Sequence, residues 1–384
     1  MAKKPVILLT LCESLSNTVV VSQALGHARV MADAGVGTFP ILAMAWNASM
    51  QADAENFRAE AERLSGASVH LVRGVRPAVP GSWRINGARI AQAIRQLGIS
   101  FTHIHGRTDY STVISARAAQ ALQAVLIWDC RGDSVAELNF RASSLARRIG
   151  RRVVESRLAN AARSADRALF VSHALRRRMV GVWPADKQTE VIPCVASDRL
   201  FFFDPHLRDE TRRELDLAAQ VPLYLYSGGL APYQKFPETL GIFQHIRRVR
   251  ADARLLVLTA DAAAATDLTR DMSGVLVRRV ANIEVNRYLN AADAAFMLRD
   301  KVATNIVASP TKFAEYCLAG LPVVMTDAVA DSYSLAREGG NLVDATDGAI
   351  PTDIPTIDRR VIAGFYRGRL SREATVEAYR RIYA

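Results

Sequence analysis

Residues 309–324, with the sequence SPTKFAEYCLAGLPVV, contain the signals for both the start and the end of a helix. Ser followed by Pro is a helix-start signal, which places Ser309 at the N-cap and Pro310 at the first helical position. Gly320 is a typical C-cap, and Pro322 prevents the helix from continuing. The stretch therefore predicts a short helix that leads into a buried strand, which is the repeating unit of a parallel α/β sheet.

Short apolar runs alternate with longer helical patterns over the rest of the chain. Residues 86–97 are one such helical pattern, with Ile90, Ile94 and Leu97 on one face. The irregular residues 198–205 separate two series of runs, so we predict two successive sets of βαβ units. Strands are predicted at Val6–Leu11, Thr38–Ala43, Val69–Val72, Phe101–Ile104, Val125–Trp128, Ala168–Val171, Glu190–Ile192, Leu223–Tyr226, Leu255–Thr259, Val275–Val277, Ala294–Leu298, Pro322–Met325 and Asn341–Val343.

The length and composition fit two domains. The chain has 384 residues, of which 50% are hydrophobic and 23% charged, enough for two cores of ordinary size. We predict two Rossmann-like, doubly wound α/β domains that face a central crevice lined by the carboxyl ends of their strands. The N-terminal domain is expected at residues 1–190 and the C-terminal domain at 191–365. One amphipathic helix is predicted at 369–384, and residues 366–384 are expected to return to the first domain.

The net charge is +11, and much of the excess lies in one Arg-rich segment, residues 141–178. Apolar residues recur among its arginines at near-helical spacing, which predicts a basic amphipathic helix with Leu145, Ile149, Val153, Leu158 and Ala162 on its apolar face. Its basic face is either an ordinary solvated surface or a patch for anionic lipid or a phosphate-bearing acceptor. A nucleic-acid partner is not expected, because no aromatic residues are interleaved with the arginines.

Cysteine and histidine usage gives no metal or disulfide pattern. The four cysteines lie singly in apolar runs, which is typical of buried thiols in a reducing compartment. The seven histidines form no ligand cluster, so we expect neither a metal centre nor a cofactor. The apolar run Val6–Leu11 is too short for a signal peptide or a membrane span, so a cytoplasmic protein is expected.

The helix in the opening stretch carries the first functional candidates. A helix N-terminus in a crevice offers unpaired N–H groups and the positive end of a dipole, which suits a phosphate. Lys312 lies in the first turn, where its charge opposes the dipole, and a bound anion would account for it. Glu315 lies a turn further on and could accept hydrogen bonds from a ribose diol. An ordinary capped helix with Glu315 in solvent is the alternative.

The same stretch resembles the donor-site signature of retaining GT-B glycosyltransferases, in particular glycosyltransferase family four, of the kind used in bacterial surface polysaccharide biosynthesis. Its variant here is Pro-x-Lys-Phe-x-Glu-Tyr-x-x-x-Gly-x-Pro-Val-Val. The resemblance implies that Glu315 binds the ribose hydroxyls of a nucleotide sugar. Further similarities lie in residues 226–236, where relatives hold the donor diphosphate, in the hinge-like residues 191–195, and at 103–106, 128–132 and 164–172.

The chain departs from that signature at two charged positions. The first acidic residue of the signature would fall at Val307, and the first basic residue of the diphosphate pair falls at Gly229. Lys235 is therefore the expected cation there, with Lys312 covering the lost charge. The resemblance and the helix together predict a donor site made of Gly228, Gly229, Lys235, Thr311, Lys312 and Glu315.

The acceptor site is predicted in the first domain. His103 and His105 are expected to face opposite sides of their strand, with His105 in the crevice. Arg131 aligns with the position where relatives often carry a histidine near the reacting carbon, and it could instead form an ion pair with Asp133 or Glu137. We predict Arg131, His105 and Lys235 as the catalytic residues and Ser14, Asn17 and Arg131 as acceptor-binding residues.

The resemblance implies a metal-independent hexosyltransferase that moves a sugar from a nucleotide sugar to a saccharide or lipid-linked acceptor, with retention of configuration. Such an enzyme would work at the cytoplasmic face of the membrane, held by segment 141–178. Two alternatives remain open, a nucleotide-sugar epimerase of the same fold and a catalytically silent subunit of a polysaccharide assembly. The missing charges at Val307 and Gly229 favour the silent subunit.

Overall fold

The structure is a computed structural model, which describes residues 4–13, 18–141, 144–349 and 354–384. It divides into two compact units. Unit 1 contains Met1–Pro193 and Thr375–Ala384, and unit 2 contains Cys194–Ala374. The division thus falls after Pro193 and after Ala374, whereas the sequence analysis places it after residue 190 and before residue 366.

Unit 1 is built on a parallel sheet in the order β3-β2-β1-β4-β5-β6-β7. Its strands are β1 (Ile7–Leu11), β2 (Ile41–Ala45), β3 (Val69–Arg73), β4 (His103–Arg107), β5 (Val125–Cys130), β6 (Arg167–Phe170) and β7 (Thr189–Val191). Its helices up to this point are α1 (Thr18–Asp33), α2 (Ala48–Ser65), α3 (Ser82–Leu97), α4 (Thr108–Leu122), α5 (Ser134–Arg141), α6 (Ser144–Ser164) and α7 (His173–Arg178). The strand order reverses between β1 and β4, and such a reversal opens a crevice at the carboxyl ends of the two strands.

Unit 2 repeats this plan with the order β10-β9-β8-β11-β12-β13, again all parallel. Its strands are β8 (Leu223–Ser227), β9 (Arg254–Leu258), β10 (Val275–Arg278), β11 (Ala294–Met297), β12 (Val323–Met325) and β13 (Leu342–Asp344). Its helices are α8 (Pro205–Glu214), α9 (Phe236–Val249), α10 (Ala262–Thr269), α11 (Val285–Ala291), α12 (Ala303–Ile306), α13 (Thr311–Leu318), α14 (Ala330–Glu338) and α15 (Arg359–Leu370). Here the order reverses between β8 and β11, which marks their carboxyl ends as the binding edge of this unit.

The predicted fold class of parallel α/β units is confirmed, and every predicted strand run overlaps an observed strand. Central strands are covered on both faces, so their side chains are almost all apolar. Leu223, Leu255 and Ala294 illustrate this, since each is fully buried.

The single helix predicted at 369–384 is wrong. Helix α15 ends at Leu370, and α16 begins at Val376 and ends at Tyr383. The interruption coincides with a long-range pairing, because Ser371 forms a parallel bridge with Ala196, flanked by backbone hydrogen bonds from Ala196 N–H to the Leu370 carbonyl and from Arg372 N–H to the Ala196 carbonyl. Helix α16 then lies in unit 1, where Ile382 and Tyr383 join the core.

Helix α6 carries the middle of the Arg-rich segment. Its buried face includes Val154, Leu158 and Ala162, whereas Val153 is 60% exposed. The prediction that Val153 lies on the apolar face is therefore wrong by one position along the helix. The side chains of Leu145 and Ile149 lie outside the described residues. Within the part of the chain that the structure describes, no helix combines the length and the apolar character needed to cross a bilayer.

Candidate functional site

The binding edge of unit 2 begins with the loop after β8. Gly228 has φ of 147°, a conformation that favours glycine. A Cβ atom there would lie 2.9 Å from Nζ of Lys312, so the missing side chain leaves room for the lysine. Two hydrogen bonds hold the loop in place: the Tyr226 hydroxyl donates to the Gly229 carbonyl (2.6 Å), and Ser227 N–H donates to the Tyr316 hydroxyl (3.2 Å).

Lys312 reaches this loop from the first turn of α13. Its Nζ donates a hydrogen bond to Oε1 of Gln234 (2.7 Å) and lies 5.2 Å from the centre of the Tyr226 ring. It forms no ion pair with any described residue. Burial, and then the charge of Arg299, lower its pKa well below the ordinary value. A lysine in these surroundings is poised to gain from a bound anion.

Arg299 is a basic residue of this site that the sequence analysis missed. It follows β11 directly, and Thr326 fixes its backbone by donating to the Arg299 carbonyl (2.8 Å) and accepting from its N–H (3.3 Å). The residue is only 7% exposed, yet its guanidinium has no carboxylate partner in the described chain. One nitrogen donates to the Leu298 carbonyl (3.2 Å), and the group lies 5.5 Å from the centre of the Tyr233 ring. Burial lowers its pKa.

Glu315 lies on α13, one turn beyond Lys312. Its carboxylate is half-buried and has neither an ion pair nor a hydrogen bond with any described residue. Burial raises its pKa to about 7, although the charges of Lys312 and Arg372 act in the opposite direction. An acceptor left open in such a place is available to hydroxyl groups of a ligand.

Lys235 has a different environment from Lys312. Its Nζ is held by Asp300 (2.7 Å) and Glu238 (2.6 Å), and these two bonds raise its pKa. Its charge is therefore already compensated within the protein. Gly229 has space around it, because an added Cβ would meet only Asp261, at 3.8 Å. The roles predicted for Lys235 and Gly229 remain predictions.

The start of α13 differs from the expectation. Pro310 is the N-cap, Thr311 is the first helical residue, and no side chain caps the helix. The predicted N-cap, Ser309, instead accepts a hydrogen bond from Cys194 N–H (2.9 Å). The turn that carries Lys312 therefore begins without a side-chain cap. Val307 is 3% exposed and lies in the core.

The binding edge of unit 1 carries a buried polar cluster centred on Asp129. Arg131 NH1 lies 3.3 Å from one oxygen of Asp129, while His105 Nε2 (3.3 Å) and Arg107 NH1 (3.7 Å) approach the other. Glu13 accepts a hydrogen bond from Arg107 Nε (2.7 Å). Burial alone would raise the pKa of Asp129, but Arg131 and then His105 outweigh it and hold the pKa well below its ordinary value. Asp129 is therefore ionised at neutral pH.

His105 and Arg131, both predicted as catalytic residues, contact opposite oxygens of Asp129, which was not predicted as a site residue. The expectation that His103 and His105 face opposite sides is wrong, since residues two apart in a strand point the same way. Both rings lie about 6 Å from that of Tyr383, at 5.8 Å and 6.0 Å respectively. Asp129 carried a signal that could have identified it, because it lies in the predicted strand-end motif 128–132.

Two predicted acceptor residues, Ser14 and Asn17, lie outside the described residues. Among the described residues, no three His, Cys, Asp or Glu side chains are grouped as metal ligands. All four cysteines are free, and Cys12, Cys130 and Cys317 are buried.

No family model and no curated protein sequence matches the chain. Several solved structures match the chain over nearly its whole length. Sucrose-phosphate synthase from Thermosynechococcus elongatus has a TM-score of 0.68 and 14% identity, covering 99% of this chain and 98% of that chain. HepE from Anabaena in complex with UDP has a TM-score of 0.69 and 13% identity, covering 98% of both chains. The catalytic domain of starch synthase IV from Arabidopsis thaliana, bound to ADP and acarbose, has a TM-score of 0.62 and 10% identity, covering 100% and 99%.

The chain has the GT-B fold. The predicted resemblance is confirmed at this level, because the similar structures are GT-B glycosyltransferases that match both units. At 10–14% identity the likeness concerns the fold alone.

Proposed function

We propose that the protein is a glycosyltransferase that uses a nucleotide sugar, with the nucleoside diphosphate bound at the binding edge of unit 2. One observation carries this proposal. Arg299 is buried and Lys312 partly buried, and these two neighbouring basic side chains have no carboxylate partner among the described residues, at the point where the strand order of the sheet reverses.

The physical argument starts from the energy of buried charge. A buried cation without a counter-ion is destabilising by several kcal/mol, and two such groups side by side also repel each other. A ligand with two negative charges removes both penalties at once. A diphosphate has that charge, and the absence of a side chain at Gly228 leaves room for the Lys312 ammonium beside the loop after β8.

Glu315 completes the proposed donor site. The diphosphate of a nucleotide sugar is joined to a ribose, and a carboxylate accepts hydrogen bonds from both hydroxyls of a diol. We place the ribose at Glu315, one helical turn from the lysine proposed for the diphosphate. The similar structures bound to UDP, UDP-glucose and ADP support a nucleotide ligand for this fold.

The chemistry follows from the charges. Sugar transfer breaks the bond between the sugar and the diphosphate, and preorganised cations stabilise the charge that develops on the leaving group. Arg299 and Lys312 would supply this stabilisation, so we propose a reaction that needs neither metal nor cofactor. We further propose retention of configuration, with the donor phosphate accepting the proton of the acceptor hydroxyl.

The acceptor is proposed to bind at the Asp129 cluster of unit 1, with Arg131 in contact with it. Asp129 fixes the guanidinium of Arg131, whose side chain is 14% exposed and thus reaches the surface. A saccharide or lipid-linked acceptor of a surface polysaccharide or glycoconjugate pathway fits this proposal, and so does action in the cytoplasm.

The direct test is turnover with a panel of UDP, GDP, CMP and dTDP sugars, with and without saccharide acceptors. We expect release of the nucleotide leaving group from one donor, and loss of this release in Arg299→Gln and Lys312→Gln. Lys301→Gln is the matched control, because Lys301 is exposed and paired with Asp327. A new sugar isomer formed without acceptor would indicate the epimerase. Consumption of no donor by a folded protein would refute the proposal and favour the silent subunit.

We also propose peripheral binding to anionic membrane through segment 141–178 and the turn after it. Arg152, Arg176 and Arg177 are exposed without an ion pair among the described residues. Val180, on the adjacent turn, is 80% exposed. We expect cosedimentation with phosphatidylglycerol vesicles but not with phosphatidylcholine vesicles, and a loss of binding on replacing Arg176 and Arg177 by Glu. Arg270→Glu, at an exposed site in unit 2, is the control, and equal binding to both vesicle types would contradict the proposal.

A further inference from the structure

Tyr383 lies at the centre of a buried hydrogen-bonded chain in unit 1. It belongs to α16 and is 4% exposed. Its hydroxyl oxygen lies 2.7 Å from His105 Nδ1 and 3.0 Å from His27 Nε2. Burial raises the pKa of this phenol well above its ordinary value, so the hydroxyl keeps its proton.

The direction of each hydrogen bond follows from the ionised Asp129. His105 Nε2 lies 3.3 Å from an oxygen of Asp129, and a carboxylate only accepts, so this contact favours a proton on Nε2. When the ring carries its one proton on Nε2, Nδ1 of His105 has a lone pair, and it accepts the hydrogen bond donated by the Tyr383 hydroxyl. The remaining lone pairs of the phenol oxygen face His27 Nε2–H, which donates to it.

His27 fits this arrangement. Burial and the neighbouring His105 lower its pKa well below the ordinary value, so it is neutral. With its proton on Nε2, its Nδ1 carries a lone pair, and Nδ1 is the buried atom of this ring that has no partner among the described residues. In this hydrogen-bonded series His27 donates to Tyr383, Tyr383 donates to His105, and His105 donates to Asp129. This common direction corresponds to the Nε2–H tautomer of His105.

The far end of this chain holds Arg131. One oxygen of Asp129 receives His105 Nε2–H, which leaves the other for Arg131 NH1. The residues surround a cavity of about 20 Å³ that is also lined by Arg107 and Tyr379. Because Asp129 contacts His105 through one oxygen and Arg131 through the other, we expect a change in the angle of the His105 ring to alter the angle of the carboxylate that anchors the guanidinium.

We propose that Tyr383 is a positioning residue for the acceptor half of the site: it orients His105, which orients Asp129 and through it Arg131. The proposal rests on the proposed function only in assigning the acceptor to Arg131. Helix α16 is itself fixed, since Arg167 donates to the Ile382 carbonyl (2.7 Å) and Gln188 to that of Arg381 (2.8 Å). The phenol is thus presented from a rigid support.

The first test is nitrogen NMR of the full chain carrying ¹⁵N-labelled histidine and arginine. His105 and Arg131 are assigned through His105→Gln and Arg131→Lys. We expect His105 in the Nε2–H tautomer, and Tyr383→Phe should shift both the Nδ1 resonance of His105 and the side-chain resonance of Arg131. Tyr110→Phe is the matched control, because its buried hydroxyl also bonds two side chains, Asn86 and Ser82.

The second test is kinetic. Tyr383→Phe should lower kcat/KM for the acceptor about tenfold and leave the affinity for nucleoside diphosphate unchanged, whereas Tyr110→Phe should not lower kcat/KM. Unchanged resonances of His105 and Arg131 in Tyr383→Phe, or equal kinetic losses in both variants, would overturn the proposal. If the wild-type protein transfers no sugar, the proposed function fails, while the NMR comparison still decides whether Tyr383 positions these residues.

Discussion

Replacing Glu315 by Gln should make the protein more stable and at the same time a poorer ligand binder. The carboxylate is half-buried without a partner among the described residues, and its pKa is raised from 4.5 to about 7. Between these two values the folded chain holds a proton that the unfolded chain has released. The unfolding free energy of the wild type therefore falls as pH rises from 4.5 to 7, and the loss is complete above pH 7.

The size of the effect follows from the pKa difference. A difference of about 2.5 corresponds to about 3 kcal/mol at 1.36 kcal/mol for each pKa unit. Because the side chain is partly exposed, solvent screening reduces this to about 1–2 kcal/mol. Glu315→Gln lacks the ionisation, so at pH 8 unit 2 should melt about 3–6 °C higher than in the wild type, and at pH 4.5 the two proteins should melt together.

The assay is thermal unfolding of both proteins across this pH range, with nucleoside diphosphate titrations at pH 8. We expect the more stable variant to bind the nucleotide about tenfold more weakly, because an amide accepts less strongly than a carboxylate from two hydroxyls. A variant less stable than the wild type at pH 8 would refute the reasoning about burial. A stabilised variant with unchanged affinity would remove Glu315 from the donor site.

Further outcomes follow from the same geometry. Gly228→Ala should weaken nucleoside diphosphate binding, because the added Cβ would lie 2.9 Å from Lys312 Nζ. Gly229→Ala should not weaken it, because the nearest neighbour of its Cβ would lie 3.8 Å away. A nucleoside diphosphate titration of each variant distinguishes them. Asp129→Asn should lower the unfolding free energy at pH 7 by about 3 kcal/mol. Since the pKa of the folded Asp129 is depressed, this difference should begin to shrink as pH falls below the pKa of an unfolded Asp and should disappear only below the folded value, which chemical denaturation at several pH values measures. Lys235→Met should weaken nucleoside diphosphate binding less than Lys312→Met in the same titration, because Asp300 and Glu238 already neutralise Lys235.

The fold was predictable because its signals are local and repeated. Each buried strand is a short apolar run, and Gly320 and Pro322 mark the boundary between the end of α13 and the start of β12. The break between α15 and α16 was not predictable in this way. It depends on the backbone pairing of Ser371 with Ala196, a contact between residues far apart in sequence.

The candidate site was predictable only where a motif marked it. Lys312 and Glu315 lie in the signature, and within the described part of the chain neither has a side chain of opposite charge as an ion-pair partner. Arg299 belongs to no motif, and only the strand order, which brings β8 beside β11, shows that it lies at the binding edge. The role of Tyr383 was harder still to predict from the sequence, because its hydrogen-bond partner His105 lies 278 residues earlier in the chain.

The central claim is that Arg299 and Lys312 bind a nucleoside diphosphate, and calorimetric titration of UDP, ADP, GDP and dTDP tests it most directly. We predict saturable binding of at least one of them to the wild-type protein, at least about tenfold weaker in Arg299→Gln and in Lys312→Gln, and unchanged in Lys301→Gln. No binding of any nucleotide, or equal affinity in all four proteins, would contradict the account.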